Sequence, residues 1–199
     1  MLQVGITGGI GSGKTTICRI FEILGIPIYY ADDRAKALMV EDATLIKKIT
    51  QLFGEAAYLK DGGLNRQHIA SIAFNDPSKL KALNAIVHPA VREDGIRWNQ
   101  EQKGVPYTLK EAALLFESGN YQVLDKIITV AAPIRIRLKR VMKRDNSTAA
   151  QVRARMDKQM KDKEKKALSD YVIYNNDKKL LIPQVLKIHH QLVELAKQV

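Results

Sequence analysis

The 199-residue chain has a single cysteine, Cys18. One thiol excludes an intrachain disulfide and any metal cage built from several cysteines. No run of about eighteen apolar residues occurs, which excludes a helical membrane span. The first residues show no basic leader, apolar segment and cleavage site in succession, so the expectation is no secretory signal, no membrane partner and a cytoplasmic location. Acidic side chains are scarce: 21 Asp and Glu face 32 Lys and Arg, a formal net charge of +11.

Hydrophobic residues make up 46% of the chain, enough for the core of one domain with insertions. The basic excess is uneven. Between Arg135 and Lys166 thirteen Lys and Arg stand against four acids. Such a run is either a solvated helical face or a surface for a polyanion, whether nucleic acid, membrane or a phosphorylated small molecule. Arg140, Arg144, Arg153 and Arg155 are the candidates for phosphate forks, because guanidinium grips phosphate bidentately.

Residues 2–7 (LQVGIT) read as a buried strand. Residues 14–24 carry Ile17, Ile20, Phe21 and Leu24 at helical spacing, and Gly25 ends that helix. A second strand is expected over 26–32 (IPIYYAD), completing a βαβ unit and implying a parallel sheet. From Asp33 to Lys103 the pattern is helical, with turns at Asp61-Gly62-Gly63 and Asn75-Asp76-Pro77 and a hitch at His88-Pro89. This span is too long for an ordinary crossover and reads as a helical insertion. Strand signals return at 105–116, 126–132 and 170–176, Pro133 opens an arginine-rich helix, Ser147 or Thr148 caps the next, and an amphipathic helix closes the chain near 181–197. The expected fold is an α/β three-layer sandwich with about five parallel strands. Its core would comprise 1–32, 104–138 and 168–199, with a helical acceptor domain at 33–103 and a basic helical lid at 139–167.

The segment GGIGSGKT, Gly8 to Thr15, fits G-x-x-x-x-G-K-[ST] without a mismatch. Chance would place this pattern in under about 1% of chains this long, and the expected strand before and helix after reduce that further. The P-loop reading assigns Gly8, Gly11, Ser12, Gly13, Lys14, Thr15 and Thr16 to a nucleoside triphosphate, with Lys14 at the β and γ phosphates and Thr15 on Mg²⁺. Cys18, one helical turn beyond Lys14, reads as a small core residue.

The motif leaves the reaction open among three classes. A switch GTPase needs N-K-x-D, and the nearest fragment, NNDK at 175–178, has the wrong order. A nucleic-acid-directed ATPase is suggested by charge alone, and the strand IITVAAP ends without an acid. A small-molecule kinase needs an acceptor pocket and a cover over the phosphates, which the two excursions from the core supply. Asp32 is then the candidate base, because ligands bind beyond the carboxyl ends of the strands in such sheets. The alternative for Asp32 or Asp33 is a helix N-cap before Arg34.

At this level the chain resembles the dephospho-coenzyme A kinase family along nearly its whole length. The carrying segments are GITGGIGSGKTT, YYADDRAK, NAIVHPAV (84–91), LLFESG (114–119), RLKRVMKRD (137–145) and SDYVIYNN (169–176). The resemblance implies transfer of the ATP γ-phosphoryl group to the ribose 3′-hydroxyl of dephospho-coenzyme A. It implies Asp32 as base or orienting group, Arg140 and Arg144 as phosphate clamps, His88 and Arg92 at the acceptor, and Asn175 or Asn176 by the adenine. A structural role for His88 and a simple turn at the asparagines stand as alternatives. Tyr30 and Ala113 depart from the family pattern, and Lys110-Glu111 place charge in a strand that is usually apolar. Glu111 is either a partner of Mg²⁺-bound water or half of a surface pair with Lys110. Another nucleoside or nucleotide kinase is the runner-up, although the D-G-F-P-R segment of adenylate kinases is missing.

Overall fold

Strands buried on both faces need helices or loops on both sides, and LQVGIT meets that condition: only Gln3 within it is exposed. In the computed structural model, which describes residues 1–198 except for the side chain of Phe74, this segment is β1 (Leu2–Thr7), followed by α1 (Lys14–Ile23) and β2 (Ile28–Tyr30). Then come α2 (Ala31–Glu41), α3 (Ala43–Phe53), α4 (Arg66–Asn75) and α5 (Pro77–Glu101). The remainder comprises β3 (Tyr107–Glu111), β4 (Lys126–Ala131), α6 (Ile134–Asp145), α7 (Ala149–Asp157), α8 (Asp162–Ala167), β5 (Tyr171–Tyr174) and α9 (Leu181–Ala196).

The five strands form one parallel sheet in the order β2-β3-β1-β4-β5. β1 is central, and the chain leaves it for β2 on one side and later β4 on the other, so its carboxyl end is a topological switch point. Register puts Ile6 beside Glu111 and Thr7 beside Thr129 at that edge. On one face Val4, Ile6, Leu109, Ile128 and Ile173 pack against Ile17 and Phe21 of α1 and Val185, Ile188 and Leu192 of α9. The opposite face is so close to its cover that a Cβ on Gly5 would meet Leu115 and Leu124 side-chain carbons at 2.7 Å.

The chain divides into two compact units, Met1–Tyr30 with the chain from Gln102 onward, and Ala31–Glu101. Both the basic segment from Arg135 to Lys166 and the span 139–167 expected as a lid belong to the first. Within the second, Asp42 caps α3 by accepting from Thr44 and Leu45 N–H. Arg34 of α2 donates from Nε and Nη2 to the Asp94 carboxylate of α5, both at 3.0 Å. Leu45, Ile49, Phe53, Ile69, Val87 and Val91 are buried.

Several expected boundaries shift. The second strand ends at Tyr30, so Asp32 and Asp33 both lie in the first turn of α2. Asp33 is therefore not an N-cap; it accepts from Lys36 one turn on, at 2.6 Å. The strand expected over 105–116 stops at Glu111. Leu115 and Phe116 are buried while covering the sheet rather than belonging to it, a distinction apolarity alone does not draw. α5 runs through Pro89 without ending. Proline removes one N–H from the ladder, a local loss that a 25-residue helix accommodates. Of the two cap candidates, Thr148 is used, in a reciprocal capping box with Gln151.

Candidate active site

The phosphate loop joins β1 to α1 at the switch point. Gly13, the residue before α1, has φ 92°, and no side chain caps the helix. The first turn of α1 also lacks acidic residues. Its N-terminus is thus left open to an anion, with the positive dipole end facing outward. The Ser12 hydroxyl is the one buried side-chain polar atom without a hydrogen-bond partner among the described residues. A buried orphan hydroxyl is costly in isolation, and a phosphate oxygen would satisfy it. The residues present therefore fit an oxygen-rich anion.

Lys14 Nζ donates to the Gly8 carbonyl at 3.0 Å and lies 3.7 Å from Glu111 Oε1. Glu111 is 8% exposed, so it is not half of a surface pair with Lys110. Alternation along β3 sends the two side chains to opposite faces, and Lys110 Nζ lies over the Tyr29 ring. The Thr15 and Thr16 side chains are exposed in the first turn of α1. Cys18 is wholly buried, and burial pushes its thiol pKa up, which makes it a core residue and not a nucleophile.

Arg140 touches the loop. Its Nη1 lies 3.4 Å from the carbonyls of Gly11 and Ser12, and its Nη2 donates to Asn175 Oδ1 at 3.1 Å and Asp177 Oδ1 at 2.6 Å. Asn175 Nδ2 donates in turn to the Ser12 carbonyl at 2.8 Å. Both ends of the Asn175 amide thus brace the loop. Asn176 makes a turn, its side chain accepting from the Lys178 and Lys179 N–H groups. Arg144 is engaged elsewhere: its guanidinium donates to both oxygens of Asp145, at 2.6 and 3.1 Å, and Arg155 adds a third bond at 2.6 Å. The Arg144 and Arg155 hydrogen bonds hold the Asp145 carboxyl well below the usual range. Asp32 is exposed on α2, and His88 and Arg92 are exposed one turn apart on α5, all three in the second unit.

Sequence reasoning missed four side chains of the first unit. Arg137 is 5% exposed and donates to the Ile10 carbonyl, and Gln159 accepts from Ile10 N–H. Lys165 is fully buried and pairs with Glu117 at 2.9 Å. A basic residue on the buried stripe of α6, four before Val141, is the one signal that marks Arg137 in advance.

The dephospho-CoA kinase family model matches residues 2–180. A dephospho-CoA kinase of Salinibacter ruber is 40% identical over 178 residues, covering 88% of this chain and 89% of that protein. One from Bacteroides fragilis is 35% identical over 187 residues, covering 94% and 91%. The solved dephospho-CoA kinase from Campylobacter jejuni superposes with a TM-score of 0.72 at 28% identity, over 96% of this chain and 97% of that one. A loop shaped for phosphate on a fold shared end to end with these proteins leads to one assignment: the chain belongs to the dephospho-CoA kinase family.

Proposed function

We propose that this protein transfers the γ-phosphoryl group of ATP to the ribose 3′-hydroxyl of dephospho-coenzyme A, giving coenzyme A and ADP, the last step of coenzyme A synthesis. The observation that carries the reading is the buried, unpartnered Ser12 hydroxyl in an uncapped phosphate loop, in a chain of this family. In the reaction, the 3′-oxygen bonds to the γ-phosphorus as the bond from that phosphorus to the β–γ bridging oxygen breaks. The hydroxyl proton passes to the Asp32 carboxylate, and ADP leaves with the electron pair.

Lys14 and the loop N–H groups bind and orient the triphosphate, and Arg140 adds positive charge beside Gly11 and Ser12. Arg144 joins the phosphate site on exchanging Asp145 for phosphate, and segment 139–167 acts as the cover that excludes water. His88 and Arg92 present an exposed basic face of α5 for the acceptor. The adenine lies by the turn at Asn176. Mg²⁺, when bound, neutralises charge on the β and γ oxygens. Thr15, and Glu111 through water, are the residues that would hold it, a donor set that suits an ion keeping most of its water and taking few protein ligands.

No helix among the described residues is long and apolar enough to cross a membrane, and we place the enzyme in the cytoplasm. The alternative of a nucleic-acid-binding ATPase draws on the basic segment. Arg137, Arg144, Arg155 and Lys165 of that segment are engaged by carboxylates of the protein itself, which favours the kinase. A coupled ADP-release assay with ATP and Mg²⁺ tests the reading, comparing dephospho-coenzyme A with AMP, adenosine and no acceptor. Turnover confined to dephospho-coenzyme A is expected, with mass spectrometry locating the new phosphate on the ribose. Turnover with AMP instead, or ADP release indifferent to acceptor, would overturn it.

A further inference from the structure

Ile10, near the tip of the phosphate loop, is gripped from both sides by the basic segment. Its N–H donates to Gln159 Oε1 at 2.8 Å, and its carbonyl accepts from Arg137 Nε at 2.9 Å. Arg137 Nη1 donates to Asp162 Oδ1 at 2.6 Å, so the guanidinium is fixed from behind. It lies against Gly9, where any Cβ would collide with it. The stretch carrying Gln159 and Asp162 is itself anchored to the chain beyond β3. Met160 N–H donates to Glu117 at 2.8 Å, and Lys165 Nζ reaches Glu117 at 2.9 Å and the Ala113 carbonyl at 3.2 Å.

We propose that Arg137 and Gln159 are positioning residues that fix the two peptide groups flanking Ile10 and thereby aim the Gly11 N–H at the terminal phosphates of the nucleotide. This rests on the reading above only in taking ATP as the ligand of the loop. In a trans peptide the carbonyl and the N–H point in opposite directions. Holding the Ile10 carbonyl toward Arg137 therefore turns the Gly11 N–H the other way.

Gly11 has φ 78°, where a residue without Cβ moves easily, so the Ile10–Gly11 peptide has little intrinsic resistance to flipping. A flip would turn a carbonyl oxygen toward the triphosphate and replace attraction with repulsion. The Gln159 bond fixes the preceding peptide in the same way, and the Gly9 carbonyl on its other side accepts from Ser12 N–H at 3.0 Å. An arginine suits the task because its planar fork serves the carbonyl and Asp162 together.

The test measures binding of a non-hydrolysable ATP analogue by calorimetry without acceptor, then KM for ATP and for dephospho-coenzyme A. Arg137→Met and Gln159→Met should each weaken analogue binding about tenfold, the scale of one lost preorganised bond to a charged group. The KM for dephospho-coenzyme A should stay within about twofold of wild type. Arg137→Lys, which still donates to the carbonyl, should recover most of the loss.

Wild-type analogue binding in both Met variants would overturn the proposal. So would equal rises in both KM values with a matching fall in Tm, or an Arg137→Lys no better than Arg137→Met. Should Arg137→Met fail to fold, Gln159→Met at its partly buried position decides alone. A wild-type protein that binds the analogue but does not phosphorylate dephospho-coenzyme A would refute the proposed function and leave this binding test standing.

Discussion

Asn175 and Ser12 are 163 positions apart in sequence, yet the Asn175 side-chain N–H bonds the Ser12 carbonyl at 2.8 Å in a buried setting. The residue just after β5 therefore holds the loop that begins after β1. Asn175→Leu keeps the volume and removes both the donor and the acceptor used by Arg140. The Ser12 carbonyl would keep only the long 3.4 Å contact from Arg140, a loss of one good hydrogen bond worth about 0.5–1.5 kcal/mol. We expect a lower Tm by calorimetry and ATP binding weakened on the order of tenfold, with wild-type ATP affinity as the contrary result.

Gly13 has no freedom to change. Its φ of 92° disfavours any side chain, and a Cβ there would run into the Asn175 amide nitrogen. Gly13→Ala should abolish measurable ATP binding and lower stability. The double variant Gly13→Ala with Asn175→Ala relieves the collision but not the backbone strain. It should be more stable than Gly13→Ala alone and still bind ATP weakly. Full recovery in the double variant would show that space, not conformation, sets the requirement.

The loop was legible in the sequence because its chemistry is contiguous: glycines, Lys14 and a helix start within eight residues, each with a local reason. The helical insertion was legible from its period. What could not be read is what depends on chain closure. Lys165 sits in the run KDKEKK, where every lysine looks solvated, and only the approach of Glu117 and Ala113 makes one of them a buried anchor. Glu111 stood open between a partner of Mg²⁺-bound water and a surface pair with Lys110, because its neighbours Ile6 and Lys14 lie 105 and 97 positions earlier in sequence. Arg144 looked like Arg140, since both are arginines one turn apart on α6. Asp145 and Asp177, which separate their contacts, are local only to one of them.

Burial at Glu117 by itself raises the carboxyl pKa. The Lys165 hydrogen bond, its own N–H and that of Met160 outweigh burial and bring it below the ordinary value of 4.5. A depressed folded-state pKa means stability that is present above pH 4.5 and lost as pH falls through the lower, folded value. Thermal melts below pH 4.5 should therefore show a fall in Tm to which this group contributes. Glu117→Gln should be less stable than wild type at pH 7 and show a shallower acid dependence. Parallel Tm-against-pH curves for the two proteins would exclude Glu117 as a contributor.

Asp32 is the assignment on which the chemistry turns. It is exposed in the first turn of α2, where a carboxylate also favours the helix dipole, so a purely structural role has a physical basis of its own. The two roles separate on substitution. Asp32→Asn keeps the shape, loses the charge and cannot accept the hydroxyl proton. As a base, Asp32 should cost about a hundredfold or more in kcat when replaced, with ATP binding and Tm nearly unchanged. As a helix-dipole partner alone, it should cost about 0.3–1 kcal/mol of stability and leave kcat near wild type. Measuring kcat, ATP affinity and Tm on the same variant decides between them. A loss of ATP affinity as large as the loss in kcat would instead place Asp32 at the nucleotide.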